Sequence, residues 1–167
     1  MKIRALIDED FVQYKVPSMF IGMCYCDWKC CRDGGFPEDV CQNHELSTAP
    51  IHEIDDDELI RRYLSNDLTH AIVFGGLEPL SQLDEIARFL YKLRTEYHCD
   101  DTVVIYTGYT QYESRRALLL GSYGPVIMKF GRYIPGDQPH YDNVLGVNLA
   151  SDNQYAVTLN PTVILNL

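Results

Sequence analysis

Five cysteines crowd one short stretch of this 167-residue chain: Cys24, Cys26, Cys30, Cys31 and Cys41. Thiolates at this density hold a metal or pair as disulfides. Spacing narrows the choice. Structural zinc sites draw on two short-gapped pairs, whereas Cys24 and Cys26 stand one residue apart and Cys30 and Cys31 are adjacent. The C-x-x-C pair of a thioredoxin-like redox site is absent. Cys26 and Cys30 form a C-x3-C pair, and after ten intervening residues comes Cys41, with Asn43 two positions on. Three thiolates from one loop leave one iron of a cubane cluster without a protein ligand. That iron is an open coordination site, the property that separates reactive metal centres from structural ones.

These thiols need elements to hold them. Ser18–Met23 reads as a buried strand that runs into the cysteines. Ala71–Phe74 is a second strand, ending at Gly75-Gly76-Leu77-Glu78-Pro79. Thr102–Tyr106 ends at Thr107-Gly108-Tyr109, and Val126–Phe130 ends at Gly131-Arg132. Between them, apolar periodicity predicts helices over Asp56–Leu64, Gln82–Tyr97 and Gln111–Leu120, the second opened by a capping-box-like Ser81 and Asp84. Shorter strands are expected at Tyr155–Leu159 and Thr162–Leu165. Continuous apolar strands alternating with amphipathic helices indicate a parallel sheet covered by helices. Ligands in such folds gather at the carboxyl ends of the strands, where all of these polar segments fall.

The bulk numbers set the frame. One domain spanning 1–167 with a substantial core suits this length. Hydrophobic residues make up 46% and charged residues 23%, ordinary for a soluble globular protein. A net charge of −10 argues against nucleic-acid binding and against docking on anionic membranes. The first ten residues lack the apolar stretch of a signal peptide, and no later segment reaches the length of a membrane helix. A cytoplasmic location, where thiols stay reduced, is the expectation, and it favours a metal over disulfides.

In these motifs the chain resembles the radical S-adenosylmethionine (SAM) superfamily, and within it the activating proteins of anaerobic ribonucleotide reductase. Cys26, Cys30 and Cys41 match the three cysteines of the family's C-x3-C-x2-C motif, with a longer second gap and Gln42 where the family has an aromatic. Val40 takes the apolar position that packs near the adenine. Gly75-Gly76-Leu77-Glu78-Pro79 is similar to the G-G-E-P segment that holds the methionyl amino group, with a leucine inserted. Tyr106-Thr107-Gly108-Tyr109 resembles the W-T-G-Y segment, Phe130-Gly131-Arg132-Tyr133 the D-G-R-F segment, and Gly146–Gln154 the closing G-S-x-N-Q segment.

The resemblance implies an incomplete, open barrel of parallel βα units. It implies a [4Fe–4S] cluster on Cys26, Cys30 and Cys41, with Cys31 and Cys24 the alternatives for the third ligand. SAM would contact Val40, Gln42, Gly75, Gly76, Glu78, Thr107, Gly108 and Asn148, and no catalytic side chain is implied beyond cluster and SAM. The implied activity is reductive cleavage of SAM to a 5′-deoxyadenosyl radical, which makes a glycyl radical on the large reductase subunit. A one-electron donor such as a flavodoxin is the second implied partner. Another glycyl radical enzyme or a small molecule is the alternative substrate, and a non-catalytic zinc module the reading from a different class.

Plainer roles stand beside these. Cys99, Cys24 and Cys31 read as packing thiols, and His44 and His52 as weak zinc candidates. Ser151, Asn153 and Gln154 suit ribose contacts and turn formation equally.

Overall fold

The computed structural model describes residues 1–159. Its strands are β1 (Lys2–Asp10), β2 (Ser18–Met23), β3 (His52–Glu53), β4 (Ala71–Gly76), β5 (Thr102–Tyr106), β6 (Val126–Phe130), β7 (His140–Asp142), β8 (Val147–Leu149) and β9 (Tyr155–Leu159). The α-helices are α1 (Lys29–Gly34), α2 (His44–Thr48), α3 (Asp56–Leu64) and α4 (Leu83–Thr95). Seven strands form one sheet in the order β3-β1-β2-β4-β5-β6-β9, and β7 and β8 make a separate hairpin. The middle of the sheet is parallel, from β2 through β4 and β5 to β6. Both flanks are antiparallel.

Alternation along the strands sends side chains to two unlike faces. Ile72, Phe74, Val103, Ile105, Val126 and Met128 pack with Leu59, Ile60 and Tyr63 of α3 and Ile86, Phe89, Leu90 and Leu93 of α4. Each such side chain, fully buried, contributes roughly 1.5–3 kcal/mol. Ala71, Val73, Val104 and Ile127 point the other way, towards Tyr14, Leu145 and Leu149. That second face is covered by the β1–β2 loop and the hairpin. Asp142 fastens the hairpin, accepting from Val144 and Leu145 amides with one oxygen and from Ala156 of β9 with the other.

Several expected elements form, and others are corrected. The strands Ser18–Met23, Thr102–Tyr106, Val126–Phe130 and Tyr155–Leu159 and the helix Asp56–Leu64 occur with those bounds. The helix expected from Gln111 to Leu120 is instead a turn followed by a 3-10 helix over Arg115–Tyr123. Gly121 explains part of this: a Cβ there would lie 2.8 Å from Leu159 Cβ, so this segment packs tightly on β9. The Ser81 capping box is also absent. The cap is Glu78, whose carboxylate accepts from the Leu80 amide at the start of a 3-10 turn, Pro79–Gln82, that leads into α4. Strand β1 had no counterpart in the sequence reading, because its charged residues hide a half-exposed alternation. Thr162–Leu165 lies outside the described residues. No helix among the described residues is long and apolar enough to cross a membrane.

β1 is tied to α3 by Arg62, whose Nε and Nη2 donate to the two Asp8 carboxylate oxygens, each at 2.6 Å. This hydrogen bonding holds the Asp8 carboxyl below its ordinary value of 3.8. A depressed acid contributes stability above its unfolded pKa and loses it as pH falls through the folded value. Asp8→Asn should therefore lower stability at pH 7 by less than about 1 kcal/mol, since the pair is exposed. The same variant should flatten the acid limb of stability below pH ~4, measured by urea unfolding across pH.

Candidate functional site

The carboxyl ends of β2, β4, β5 and β6 meet at a cavity of about 330 Å³. Cys26, Cys30 and Cys41 line it, together with Cys31. So do Val40, Gln42, Gly75, Gly76, Glu78, Thr107, Gly108 and Asn148, every residue singled out for cofactor contact. Cys24 and Cys99 are buried elsewhere, Cys24 at the end of β2 and Cys99 beyond α4. Gln154 reaches the cavity, whereas Ser151 is spent on the Ile134 amide.

The thiol loop has a definite local build. Trp28 adopts a left-handed conformation (φ 57°) just before α1, a state that a non-glycine residue enters at a cost of about 1 kcal/mol. This turns the chain so that the Trp28 amide donates to Cys26 Sγ at 3.3 Å. The Asn43 amide does the same for Cys41 Sγ at 3.5 Å. Amide donors of this kind stabilise thiolate and tune a metal–sulfur centre. Burial pushes the Cys26 thiol up to about 12 and the Cys30 thiol up to about 11. At these values both thiols are neutral in the metal-free chain, and a metal is what would draw out the thiolates.

Glycine lets the opposite wall come close. A Cβ on Gly108 would sit 2.5 Å from Cys30 Sγ, so any side chain there collides with a candidate ligand. Gly76 has φ 85°, and a Cβ would meet Leu46 of α2 and the Gly22 backbone. Gly108 thus leaves room for the Cys30 thiol, and Gly76 lets α2 pack against the ends of β2 and β4.

Glu78 is the hub of the wall. It is 4% exposed, and burial raises its pKa. One oxygen accepts from Leu80 N (3.0 Å) and Thr107 Oγ1 (2.8 Å), the other from Gly108 N (2.9 Å). The carboxylate thus latches the end of β4 to the end of β5. Two oxygens offer about four acceptor positions, so three chain donors leave one for a ligand.

Lys129 was missed by the sequence reading. It lies within β6, 6% exposed, on the cavity wall. Its Nζ pairs with a carbonyl, that of Gly131 at 2.8 Å, and lies 5.9 Å from the centre of the Tyr106 ring. Burial lowers its pKa to about 8. A lone lysine inside the apolar run Val-Ile-Met-Lys-Phe was the available signal. At the rim, Arg132 reaches Asp33 of α1, linking the end of β6 to the thiol helix.

A single ion and a cluster make different demands on these thiols. A tetrahedral zinc needs its ligands aimed at a point, whereas a cubane presents its irons at separate corners to thiols that surround a volume. Among the described residues, no three His, Cys, Asp or Glu side chains form a single-ion site.

Residues 18–126, more than half of the chain, match the family model described as a 4Fe-4S single cluster domain. No curated protein and no solved structure matches the chain.

Proposed function

Because the chain belongs to the 4Fe-4S single cluster domain family, we propose that Cys26, Cys30 and Cys41 hold a [4Fe–4S] cluster beside a SAM site. On this reading the protein is a radical SAM activating enzyme with an open-barrel type of α/β fold. It generates a glycyl radical on the large subunit of an anaerobic ribonucleotide reductase, taking its electron from a donor such as a flavodoxin. The observation that carries the reading is the meeting of these three thiols with Gly75, Gly76, Glu78, Thr107, Gly108 and Asn148 around one cavity.

When bound, the cluster supplies the electron that breaks a carbon–sulfur bond of SAM. The chain's own part is positional. Glu78 offers its free acceptor position to the methionyl ammonium, a charge-assisted contact. Lys129, buried and hydrogen-bonded to the Gly131 carbonyl, offers its ammonium to the methionyl carboxylate. Val40 offers an apolar contact to the adenine, and Gln42 and Asn148 face the cavity with amides suited to its polar edge and the ribose. Gly75 and Gly76 line the cavity with backbone alone, and Gly108 leaves the space that Cys30 occupies.

Anaerobically reconstituted protein given SAM and a strong one-electron reductant should form 5′-deoxyadenosine and methionine in equal amounts, measured chromatographically. Adding the reductase subunit should yield a glycyl radical signal by electron paramagnetic resonance. Bound iron with no SAM cleavage sinks the enzymatic reading. Cleavage with no radical on that subunit shifts the substrate to another protein or a small molecule.

A further inference from the structure

We propose that Arg4 is a positioning residue that closes the neck of the thiol-bearing loop. The argument begins in β1. Ile3 pairs with Met23 and Ala5 with Gly22, so Arg4 is an extra residue opposite one step of β2. A bulge of this kind re-aims the side chain it carries. Arg4, half-buried, sends its guanidinium across the root of the loop. Nε donates to the Cys24 carbonyl at 3.0 Å, and Nη1 donates to the Ala49 carbonyl.

Residues 25–48 run between those two carbonyls. They carry Cys26, Cys30 and Cys41, with α1 and α2. One side chain therefore pins the entry and the exit of the segment that bears all three candidate ligands. The entry is held a second time, because the Cys24 amide donates to Gln82 Oε1 (2.8 Å) while Gln82 Nε2 donates to the Lys2 carbonyl (2.9 Å). This gives Cys24 a role through its backbone, as the fixed post from which the loop departs.

The planar fork of arginine suits two carbonyls in different directions, and lysine has a single ammonium for the same task. Without the fork, both carbonyls lose charge-assisted donors and the loop ends separate more freely. The thiols then sample a wider volume, and a bound cluster is held less tightly. The inference rests on membership of the iron–sulfur family and uses no property of the SAM reading.

The test compares Arg4→Met, Arg4→Lys and, as a control, Arg62→Met, which removes an exposed arginine that also bonds to β1. Each is reconstituted anaerobically, and iron loss to an iron(II) chelator is followed by absorbance. Arg4→Met should release iron about tenfold faster or more, matching the loss of two charge-assisted bonds. Arg4→Lys should fall between, and Arg62→Met should match the wild type. The reduced cluster of Arg4→Met should give a broadened resonance spectrum. In the cluster-free chain, amide exchange should quicken across 25–48 while β4 and β5 stay protected.

Wild-type iron release with an unchanged spectrum in Arg4→Met overturns the proposal. Should that variant fail to fold, exchange in Arg4→Lys decides. Acceleration confined to 25–48 supports the clasp, and acceleration spread equally over β2 and β4, or none, overturns it. A wild-type protein that holds iron yet leaves SAM intact counts against the enzymatic reading alone.

Discussion

Changing Cys26, Cys30 or Cys41 to alanine should reduce bound iron from about four per chain to below one. Cys24→Ala, Cys31→Ala and Cys99→Ala should retain it. A cubane held by three thiols has no spare protein ligand, so losing one leaves two irons open to solvent and oxidant. Cys24 cannot substitute, because it is 1% exposed at the end of β2 and does not reach the cavity. Cys99 lies beyond α4. Cys31 is the demanding comparison, since it lines the same cavity as the other three. Iron and sulfide analysis of anaerobically reconstituted variants reads the result. Retention in Cys41→Ala with loss in Cys31→Ala would move the third ligand to Cys31.

Glu78→Ala should destabilise the cluster-free chain by about 2–4 kcal/mol, which at this size lowers the melting temperature by roughly 5–15 °C. Two effects compete. Removing a buried carboxylate recovers its desolvation cost, the cause of its raised pKa. It also orphans the Leu80 and Gly108 amides and the Thr107 hydroxyl, each a donor to that carboxylate. Unpaired buried groups cost about 1–3 kcal/mol each, and three of them outweigh the recovery even when water enters from the cavity. Glu78→Gln should be milder in stability, because one amide oxygen still serves Leu80 and Thr107. Its NH₂ group would face the Gly108 amide, donor against donor, so the end of β5 should loosen. Calorimetry gives the stability of each variant, and amide exchange at Gly108 reports the latch. An unchanged melting temperature in Glu78→Ala would show that the carboxylate does not hold these strands together.

The legible parts of this chain were those where one strand explains itself. The runs Thr102–Tyr106 and Val126–Phe130 are buried on both faces, and continuous apolarity marks them without reference to neighbours. Gly108 was legible as part of a strand-end segment, and its tight packing against Cys30 Sγ was not. β1 was not, since its Lys, Arg, Asp and Glu residues sit on a half-solvated face and break the apolar pattern. Glu78 was legible as a ligand contact and not as a strand latch. Its latch to Thr107 and Gly108 spans about thirty residues and depends on a strand pairing that periodicity does not encode. Arg4 is an extreme case, because its task comes from a register shift between two strands and from carbonyls twenty and forty-five positions away.

The covering of one sheet face by a late hairpin has a consequence for how the protein is made. Val147, Asn148, Leu149 and Gln154 wall the cavity, yet they follow Cys41 by more than a hundred residues. At roughly 5–20 residues per second of synthesis, the thiols emerge on the order of ten seconds before that wall exists. β9, which carries the Asp142 anchor point at Ala156, comes later still. The newborn chain therefore presents its thiol loop open, before the strands that cover it exist. Closure of the site waits on residues 140–159, so the making of the thiol loop and of its cover are separate events in time.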